Sequence, residues 1–226
     1  MTPQRAGFRA VIFDMDGVIV DSEPAFHEAV NLVLRPTGKQ IAWEDYVRFI
    51  GTSTSVTWRG VLETVGLSLE GIQPHVDRFE SVLLDVLGRP RDVLPGVLEL
   101  IEALGARSLR VGLATSSREE WVRALLGGAE LPLDTFDTVV WRQMVKTSKP
   151  APDLYLRAAE LLSIPPERCI AIEDTIPGIG SAKAAGMYAI QVRASSTALP
   201  PIGDADAVLD SLDDFPFELI AQPGSV

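Results

Sequence analysis

Residues 11–18, VIFDMDGV, join a strand-like apolar run to two closely spaced aspartates and a glycine. Carboxylates that end a buried strand are unfavourable unless a partner compensates their charge. Residues two apart in an extended chain point to the same side, so Asp14 and Asp16 can share one small volume. A divalent metal and a phosphate group would justify such an arrangement. The alternative is an ordinary polar strand end that opens a turn or caps the next helix.

The composition narrows the classes of partner. The chain has 226 residues, of which 46% are apolar and 23% charged, as in an ordinary globular protein. Its formal charge of −11 argues against nucleic acid and against an anionic membrane surface as partners, since both require a basic face. An acidic protein that handles anionic substrates must concentrate positive charge locally or obtain it from a metal.

The sequence also indicates the compartment. Cys169 is the only cysteine, which excludes an internal disulfide framework and fits a reducing cytoplasm. Residues 1–9 contain no apolar stretch typical of a signal peptide, and no apolar run reaches membrane-spanning length. We therefore expect a cytoplasmic protein, monomeric or weakly dimeric, that acts on a small molecule.

Short runs rich in valine and isoleucine alternate with helix-period segments over most of the chain. This alternation predicts an α/β fold with a doubly wound parallel sheet and helices on both faces. The predicted strands are residues 10–13, 110–114, 138–141, 169–172, 188–192 and 207–209. The predicted helices between them are residues 97–104, 119–126, 153–162 and 179–185.

Residues 22–91 differ, because helix-period segments follow one another there without an intervening strand run. The pattern predicts helices at residues 25–34, 43–50, 56–65 and 72–87, separated by turn residues. We therefore expect two domains, an α/β core formed by residues 1–21 and 92–226 and an inserted helical cap formed by residues 22–91.

Polar side chains follow four of the predicted strands. Open parallel sheets bind ligands beyond the carboxyl ends of their strands, so these groups should meet at one edge. They are Asp14 and Asp16, Thr115-Ser116-Ser117-Arg118, Lys146 and Lys149, and Glu173-Asp174. Carboxylates can hold a hard cation such as Mg²⁺, while hydroxyls and free backbone amides can hold phosphate oxygens.

Each of these groups has a plainer explanation when it is taken alone. The hydroxyls could cap a helix, the acidic pair could form a turn, and the lysine could be a solvated loop residue. Their joint occurrence, in order and each at a predicted strand end, favours a single site for phosphate chemistry.

Four motifs carry a resemblance to a known family. They are Asp14-Met15-Asp16-Gly17-Val18, Leu113-Ala114-Thr115-Ser116-Ser117, Lys149-Pro150-Ala151-Pro152-Asp153 and Ile172-Glu173-Asp174-Thr175. In this order they resemble the haloacid dehalogenase-like superfamily, in its branch of phosphatases and β-phosphoglucomutases with a helical cap. The resemblance covers nearly the whole chain. It implies a Mg²⁺-dependent phosphatase that hydrolyses a small phosphate monoester, with sugar or polyol phosphates as the favoured class.

The resemblance also implies roles for single residues. Asp14 would be the nucleophile that forms an aspartyl-phosphate, and Asp16 the general acid and base. Asp14, the backbone carbonyl of Asp16 and Asp174 would hold Mg²⁺, with Glu173 supporting them or binding through water. Lys149 would stabilise the redistributing charge. Lys146 lies close enough along the chain to compete for that role.

Substrate contacts are implied as well. Thr115 and the backbone of Ser116 would hold the transferring phosphoryl group. Arg118 would contact a second anionic group, unless it is an exposed arginine in the first turn of a helix. The turn at Gly51 and Thr52 would face sugar or polyol hydroxyls, unless it merely connects two helices.

Hydrolysis competes with sugar-phosphate mutation as the reaction. Mutases of this branch resemble one another in a histidine soon after the first motif and an arginine after a cap glycine. Here Phe26 occupies the histidine position, His27 comes one residue late, and Thr52 rather than arginine follows Gly51. These differences favour a phosphatase over a β-phosphoglucomutase-like mutase. A non-catalytic binding module is the weaker alternative, because such a protein should have lost at least one of four charged residues, and all four are present: Asp14, Asp16, Lys149 and Asp174.

Overall fold

The computed structural model describes residues 7–220, and a parallel sheet forms its centre. The strands are β1 Ala10–Phe13, β2 Arg110–Ala114, β3 Thr138–Val140, β4 Cys169–Glu173, β5 Tyr188–Val192 and β6 Ala207–Leu209. They form one six-stranded sheet in the order β3-β2-β1-β4-β5-β6, and all neighbouring strands are parallel. The doubly wound α/β fold predicted from the sequence is confirmed.

The central strand β1 shows why the sheet is covered on both faces. All four of its residues are fully buried, and successive side chains point to opposite faces. Val11 and Phe13 join one hydrophobic cluster, while Ala10 and Ile12 join the other. Burial of a side chain such as Ile12 or Phe13 contributes about 1.5–3 kcal/mol.

Four helices follow the strands and form the two layers. They are α5 Val97–Ala106, α6 Glu119–Gly128, α7 Asp153–Leu162 and α8 Ile176–Ala184. Helices α5 and α6 pack on the face of Val11 and Phe13, and helices α7 and α8 pack on the face of Ala10 and Ile12.

The helices that precede α5 form an insert in the chain between β1 and β2. They are α1 Glu23–Leu34, α2 Trp43–Tyr46, α3 Thr54–Thr64 and α4 Ile72–Leu87. Buried Trp58, Leu62 and Phe79 of the insert belong to the same hydrophobic cluster as Val11 and Phe13 of β1. The division into a core domain and a cap domain stays a prediction. No helix within residues 7–220 is long and apolar enough to cross a membrane.

Several element boundaries differ from the sequence prediction, and three of these differences bear on packing or on the sheet edge. In place of the predicted helix at residues 43–50, the structure has the four-residue helix α2 and then a 3₁₀ turn at Val47–Phe49. The ring of Phe49 packs against the Cα of Gly60. Helix α8 begins three residues early, because a proline is tolerated in a first helical turn and the Thr175 hydroxyl accepts a hydrogen bond from the Gly178 amide. Strand β4 continues to Glu173, which is fully buried despite its charge.

The chain that returns from the insert to the sheet packs on the end of α6. A Cβ atom at Gly128 would overlap the backbone carbonyl of Arg89 and would lie 2.8 Å from the carbonyl oxygen of Leu87. The Gly128 carbonyl accepts a hydrogen bond from the Arg91 amide at 3.0 Å. The neighbouring Gly127 is exposed, and a Cβ atom there would meet nothing within 4 Å.

Two glycine substitutions test this packing. We expect Gly128→Ala to lower the free energy of unfolding by about 1–3 kcal/mol, because the added methyl group overpacks a backbone contact. The control Gly127→Ala should leave the free energy of unfolding unchanged or raise it by up to about 1 kcal/mol, because alanine is the better helix former. Urea denaturation followed by circular dichroism measures both. Equal stabilities of the two variants would contradict the contact between α6 and the returning chain.

Candidate active site

The turn after β1 brings the ends of β1 and β4 together. The Asp14 amide donates to the Ile172 carbonyl at 2.9 Å, which continues the pairing of the two strands. Gly17 then adopts φ 77°, a left-handed conformation that favours glycine. A Cβ atom at Gly17 would overlap the carboxylate of Asp174. Glycine at this position therefore allows the first turn to approach the acidic end of β4.

Three buried carboxylates converge at this edge of the sheet. One oxygen from each of Asp14, Glu173 and Asp174 lies within 4.8 Å of the others. The Oδ1 atom of Asp174 is buried and has no hydrogen-bond partner among residues 7–220. A buried carboxylate oxygen without a partner is unfavourable unless it binds a cation. The donor set, all carboxylate oxygen, fits Mg²⁺, which prefers such ligands.

Lys149 supplies the positive charge inside the cluster. Its Nζ atom lies 2.6 Å from Asp14 Oδ1 and 2.6 Å from Glu173 Oε1, and its side chain is only 6% exposed. Burial alone would lower the pKa of Lys149, but the charges of Asp14 and Glu173 outweigh burial and raise the pKa above its ordinary value. Lys149 therefore stays protonated. Lys146 is exposed, so the structure brings Lys149 and not Lys146 to the carboxylates.

The cluster holds more negative charge than one ammonium group can neutralise. Burial, followed by the charge of Glu173, raises the pKa of Asp14 to about 7. The same two causes raise the pKa of Asp174 well above its ordinary value. A divalent cation beside these carboxylates would relieve the repulsion and favour their ionised forms.

Asp16 lies beside the cluster and is held by hydroxyl groups. Its Oδ1 atom accepts a hydrogen bond from Ser22 at 2.5 Å, and its Oδ2 atom accepts one from Ser117 at 2.8 Å. The buried Thr115 hydroxyl is 3.5 Å from the same Oδ2 atom. Ser22 occupies the N-cap position of α1 but makes no capping hydrogen bond, so its hydroxyl serves Asp16 instead.

Glu173 is fixed from all sides. Its Oε1 atom accepts hydrogen bonds from Lys149 and, at 2.8 Å, from the Tyr155 hydroxyl. Its Oε2 atom lies 3.3 Å from the Asp174 amide and 3.4 Å from the Thr175 hydroxyl. A Cβ atom at Gly178 would overlap this carboxylate. Both carboxylate oxygens of Glu173 therefore have hydrogen-bond partners, whereas Oδ1 of Asp174 has none among residues 7–220.

Some residues around the site were not found from the sequence. Tyr155 lies within a predicted core helix, and Ser22 lies where a serine ordinarily caps a helix, so local pattern concealed both. Glu23 of the insert is a third case. It lies 3.4 Å from the Tyr46 hydroxyl, and burial, followed by the charge of Asp16, raises its pKa to about 7. These residues are recognised only by their tertiary contacts, which the spacing of residues along the chain does not reveal.

The other predicted site residues make contacts outside the carboxylate cluster. Ser116 is exposed, and its Oγ atom accepts a hydrogen bond from Ser148 at 2.8 Å. Arg118 forms an ion pair of 2.9 Å with Glu80 of α4 and so joins α6 to the insert. The remaining two predicted substrate-binding residues, Gly51 and Thr52, lie in an exposed turn of the insert, where Gly51 has φ 75°. The Thr52 hydroxyl donates to the Phe49 carbonyl at 2.7 Å and is hydrogen-bonded to the Thr57 hydroxyl.

The chain is similar to several known proteins. It is 35% identical over 188 residues to the chloroplastic protein SUPPRESSOR OF QUENCHING 1 of Arabidopsis thaliana, a match that covers 81% of this chain and 18% of that protein. It is 35% identical over 192 residues to the fructose-1-phosphate phosphatase YqaB of Escherichia coli, which covers 82% of this chain and 97% of that protein.

A solved structure shares the architecture. The crystal structure of a candidate β-phosphoglucomutase from Thermotoga maritima superimposes with a TM-score of 0.75 at 29% identity, covering 88% of this chain and 93% of that chain. The profile of one family, haloacid dehalogenase-like hydrolase, matches residues 8–186. The match spans well over half of the sequence, and the chain therefore belongs to the haloacid dehalogenase-like hydrolases.

Proposed function

We propose that this hydrolase is a Mg²⁺-dependent phosphatase that cleaves a small phosphate monoester through an aspartyl-phosphate on Asp14. The observation that carries the proposal is the contact between Asp14 and the buried ammonium of Lys149, beside the unpaired carboxylate oxygen of Asp174. In the proposed reaction these three side chains, which meet at one sheet edge, serve as nucleophile, charge stabiliser and metal ligand.

Asp14 is the group that attacks phosphorus. One carboxylate oxygen forms a bond to phosphorus while the bond from phosphorus to the leaving oxygen breaks, and the bonding electrons leave with that oxygen. Lys149 holds the Asp14 carboxylate in one orientation and offsets negative charge on the transferring group. In the second half-reaction a water molecule attacks phosphorus and releases Asp14.

Asp16 moves the proton in both half-reactions. As an acid it protonates the leaving oxygen, and as a base it takes a proton from the attacking water. Its two hydroxyl partners, Ser22 and Ser117, suit both tasks, because a hydroxyl can donate to a carboxylate and can also accept from a carboxylic acid. The same side chains can therefore hold Asp16 in either protonation state.

The metal would be held by Asp14, Asp174 and the backbone carbonyl of Asp16. Glu173 would support this set, because Tyr155, Lys149 and the start of α8 already bond its oxygens. When bound, Mg²⁺ would reduce the repulsion between an anionic substrate and the Asp14 carboxylate.

The substrate class that we propose is a phosphorylated sugar or polyol. The names of the Escherichia coli and Thermotoga relatives both refer to phosphorylated sugars. Two contacts support hydrolysis over mutation. Phe26, at the position where mutases have histidine, packs edge-on against Trp121 with ring centroids 5.7 Å apart, and the hydroxyl of Thr52, after the cap glycine, donates to the Phe49 carbonyl at 2.7 Å. Neither position carries the histidine or the arginine that the mutases of this branch have in common.

Replacing the nucleophile tests the reaction. We expect Asp14→Asn to lower kcat for p-nitrophenyl phosphate by at least about a thousandfold, because an amide cannot attack phosphorus. The control Asp204→Asn changes an exposed aspartate and should keep the native rate. Phosphate release is measured with Mg²⁺ present. A native rate in Asp14→Asn would refute the assigned nucleophile.

Thermal unfolding tests the metal site without turnover. We expect Mg²⁺ at a hundredfold excess over its Kd to raise the Tm of the native protein by about 5–10 °C. Asp174→Asn should lose this shift, while its metal-free form should be at least as stable as the metal-free native protein, because a buried unpaired carboxylate has been removed. Asp204→Asn should keep the shift. Full activity of the native protein in EDTA would contradict the metal requirement.

A panel of phosphate esters tests substrate class and reaction together. We expect phosphate release from sugar or polyol phosphates, including fructose 1-phosphate, to exceed release from nucleotides. β-Glucose 1-phosphate should yield phosphate and glucose, with little glucose 6-phosphate. Ion chromatography of the products separates these outcomes. Isomerisation that outpaces phosphate release would identify a mutase instead.

A further inference from the structure

Tyr155 of α7 contacts both Glu173 of the carboxylate cluster and the ammonium of Lys149. Its side chain is fully buried, and its hydroxyl donates to Glu173 Oε1 at 2.8 Å. The same Glu173 oxygen accepts the ammonium of Lys149 at 2.6 Å, and that ammonium lies 5.2 Å from the centroid of the Tyr155 ring. Tyr155 thus contacts the Glu173–Lys149 pair through both its hydroxyl and its ring.

We propose that Tyr155 is a positioning residue, whose hydroxyl and ring fix the Glu173–Lys149 pair and thereby set where the ammonium meets Asp14. The inference rests on the proposed phosphatase reaction, in which Lys149 must remain on Asp14 while charge moves to the transferring group. The contacts of the Tyr155 hydroxyl and ring are with Glu173 and Lys149 and not with Asp14, so Tyr155 acts on Asp14 through these two neighbours.

Packing alone does not explain the hydroxyl of Tyr155. The side chains that share its buried face on α7, Leu154, Ala158 and Ala159, are apolar. A phenylalanine would fill the same space in such surroundings. A buried phenol requires a hydrogen-bond partner, and here that partner is Glu173.

The hydroxyl sets the balance between the two carboxylates that share the ammonium. Lys149 lies 2.6 Å from both Asp14 Oδ1 and Glu173 Oε1, so the two carboxylates compete for one cation. A second donor at Glu173 Oε1 neutralises part of the charge on that oxygen. Without the Tyr155 hydroxyl, Glu173 attracts Lys149 more strongly, and the contact to Asp14 weakens.

The ring has a separate part in the same arrangement. A cation above an aromatic face is attracted to it, and the attraction is larger where water is excluded. The ring therefore attracts the Lys149 ammonium and limits the direction in which it can move.

The test is Tyr155→Phe, which removes one oxygen and keeps the ring. We expect kcat for p-nitrophenyl phosphate to fall by about tenfold or more while KM changes by less than about twofold, because the lost bond acts on charge in the transition state. The control Tyr188→Phe changes a tyrosine at the amino end of β5, the opposite end from the site, and should keep the native kcat. Assays well below the Tm of each variant exclude a loss caused by unfolding.

A double variant shows whether Tyr155 acts through Glu173. In a Glu173→Gln background, adding Tyr155→Phe should lower kcat by less than about twofold, since the shared interaction is already broken. This comparison uses two proteins that both lack the buried Glu173 charge, so it does not depend on the folding of the single Tyr155→Phe variant.

Each outcome has one meaning. A native kcat in Tyr155→Phe, or a full additional loss in the double variant, would overturn the positioning role while leaving the phosphatase intact, provided that Asp14→Asn is inactive. A purely structural role would lower the Tm of Tyr155→Phe and leave kcat unchanged. Absence of phosphate release by the native protein would overturn the proposed function and this inference together.

Discussion

The contact of one buried ammonium with two carboxylates is the interaction on which the site depends. Lys149 lies between Asp14, which follows β1, and Glu173, which ends β4, at 2.6 Å from each. Without this cation the two strands would end in adjacent buried negative charges, and an uncompensated buried charge costs several kcal/mol. The loop before α7 therefore has to deliver Lys149 to the sheet edge for the ends of β1 and β4 to approach.

One ammonium group does not neutralise the negative charge of this cluster, and the excess negative charge bears on function. Asp14, Glu173 and Asp174 together exceed the charge of Lys149, and Asp174 Oδ1 has no partner among the described residues. Such groups are retained at active sites although they lower stability. The fully buried strands beneath them supply the apolar burial that offsets this cost. A site for a divalent cation and an anionic substrate requires carboxylates without partners, held on a stable sheet.

The sequence predicted much of this arrangement, and the reasons for the failures are physical. The alternation of strands and helices was sufficient to predict the parallel sheet. The rule that ligands bind at the carboxyl ends of parallel strands was sufficient to predict that Asp14, Lys149 and Glu173 lie at one edge. The rule for buried charge placed Glu173 outside β4, whereas its bonds to Lys149 and Tyr155 allow it to remain inside the strand. The role of Arg118 at the substrate stays a prediction, and its ion pair with Glu80 of the insert is a contact that no local pattern could indicate.

The contacts between α6 and the insert bear on how a substrate reaches the site. The ion pair of Arg118 with Glu80 is about half exposed, and exposed pairs contribute at most about 1 kcal/mol. The edge-on contact of Phe26 with Trp121 adds about 0.5–1.5 kcal/mol. Interactions of this size can break and re-form while the sheet stays folded. In the proposed reaction, the sheet edge that carries Lys149 and its carboxylates can therefore keep its geometry while the insert helices move aside for a phosphate ester.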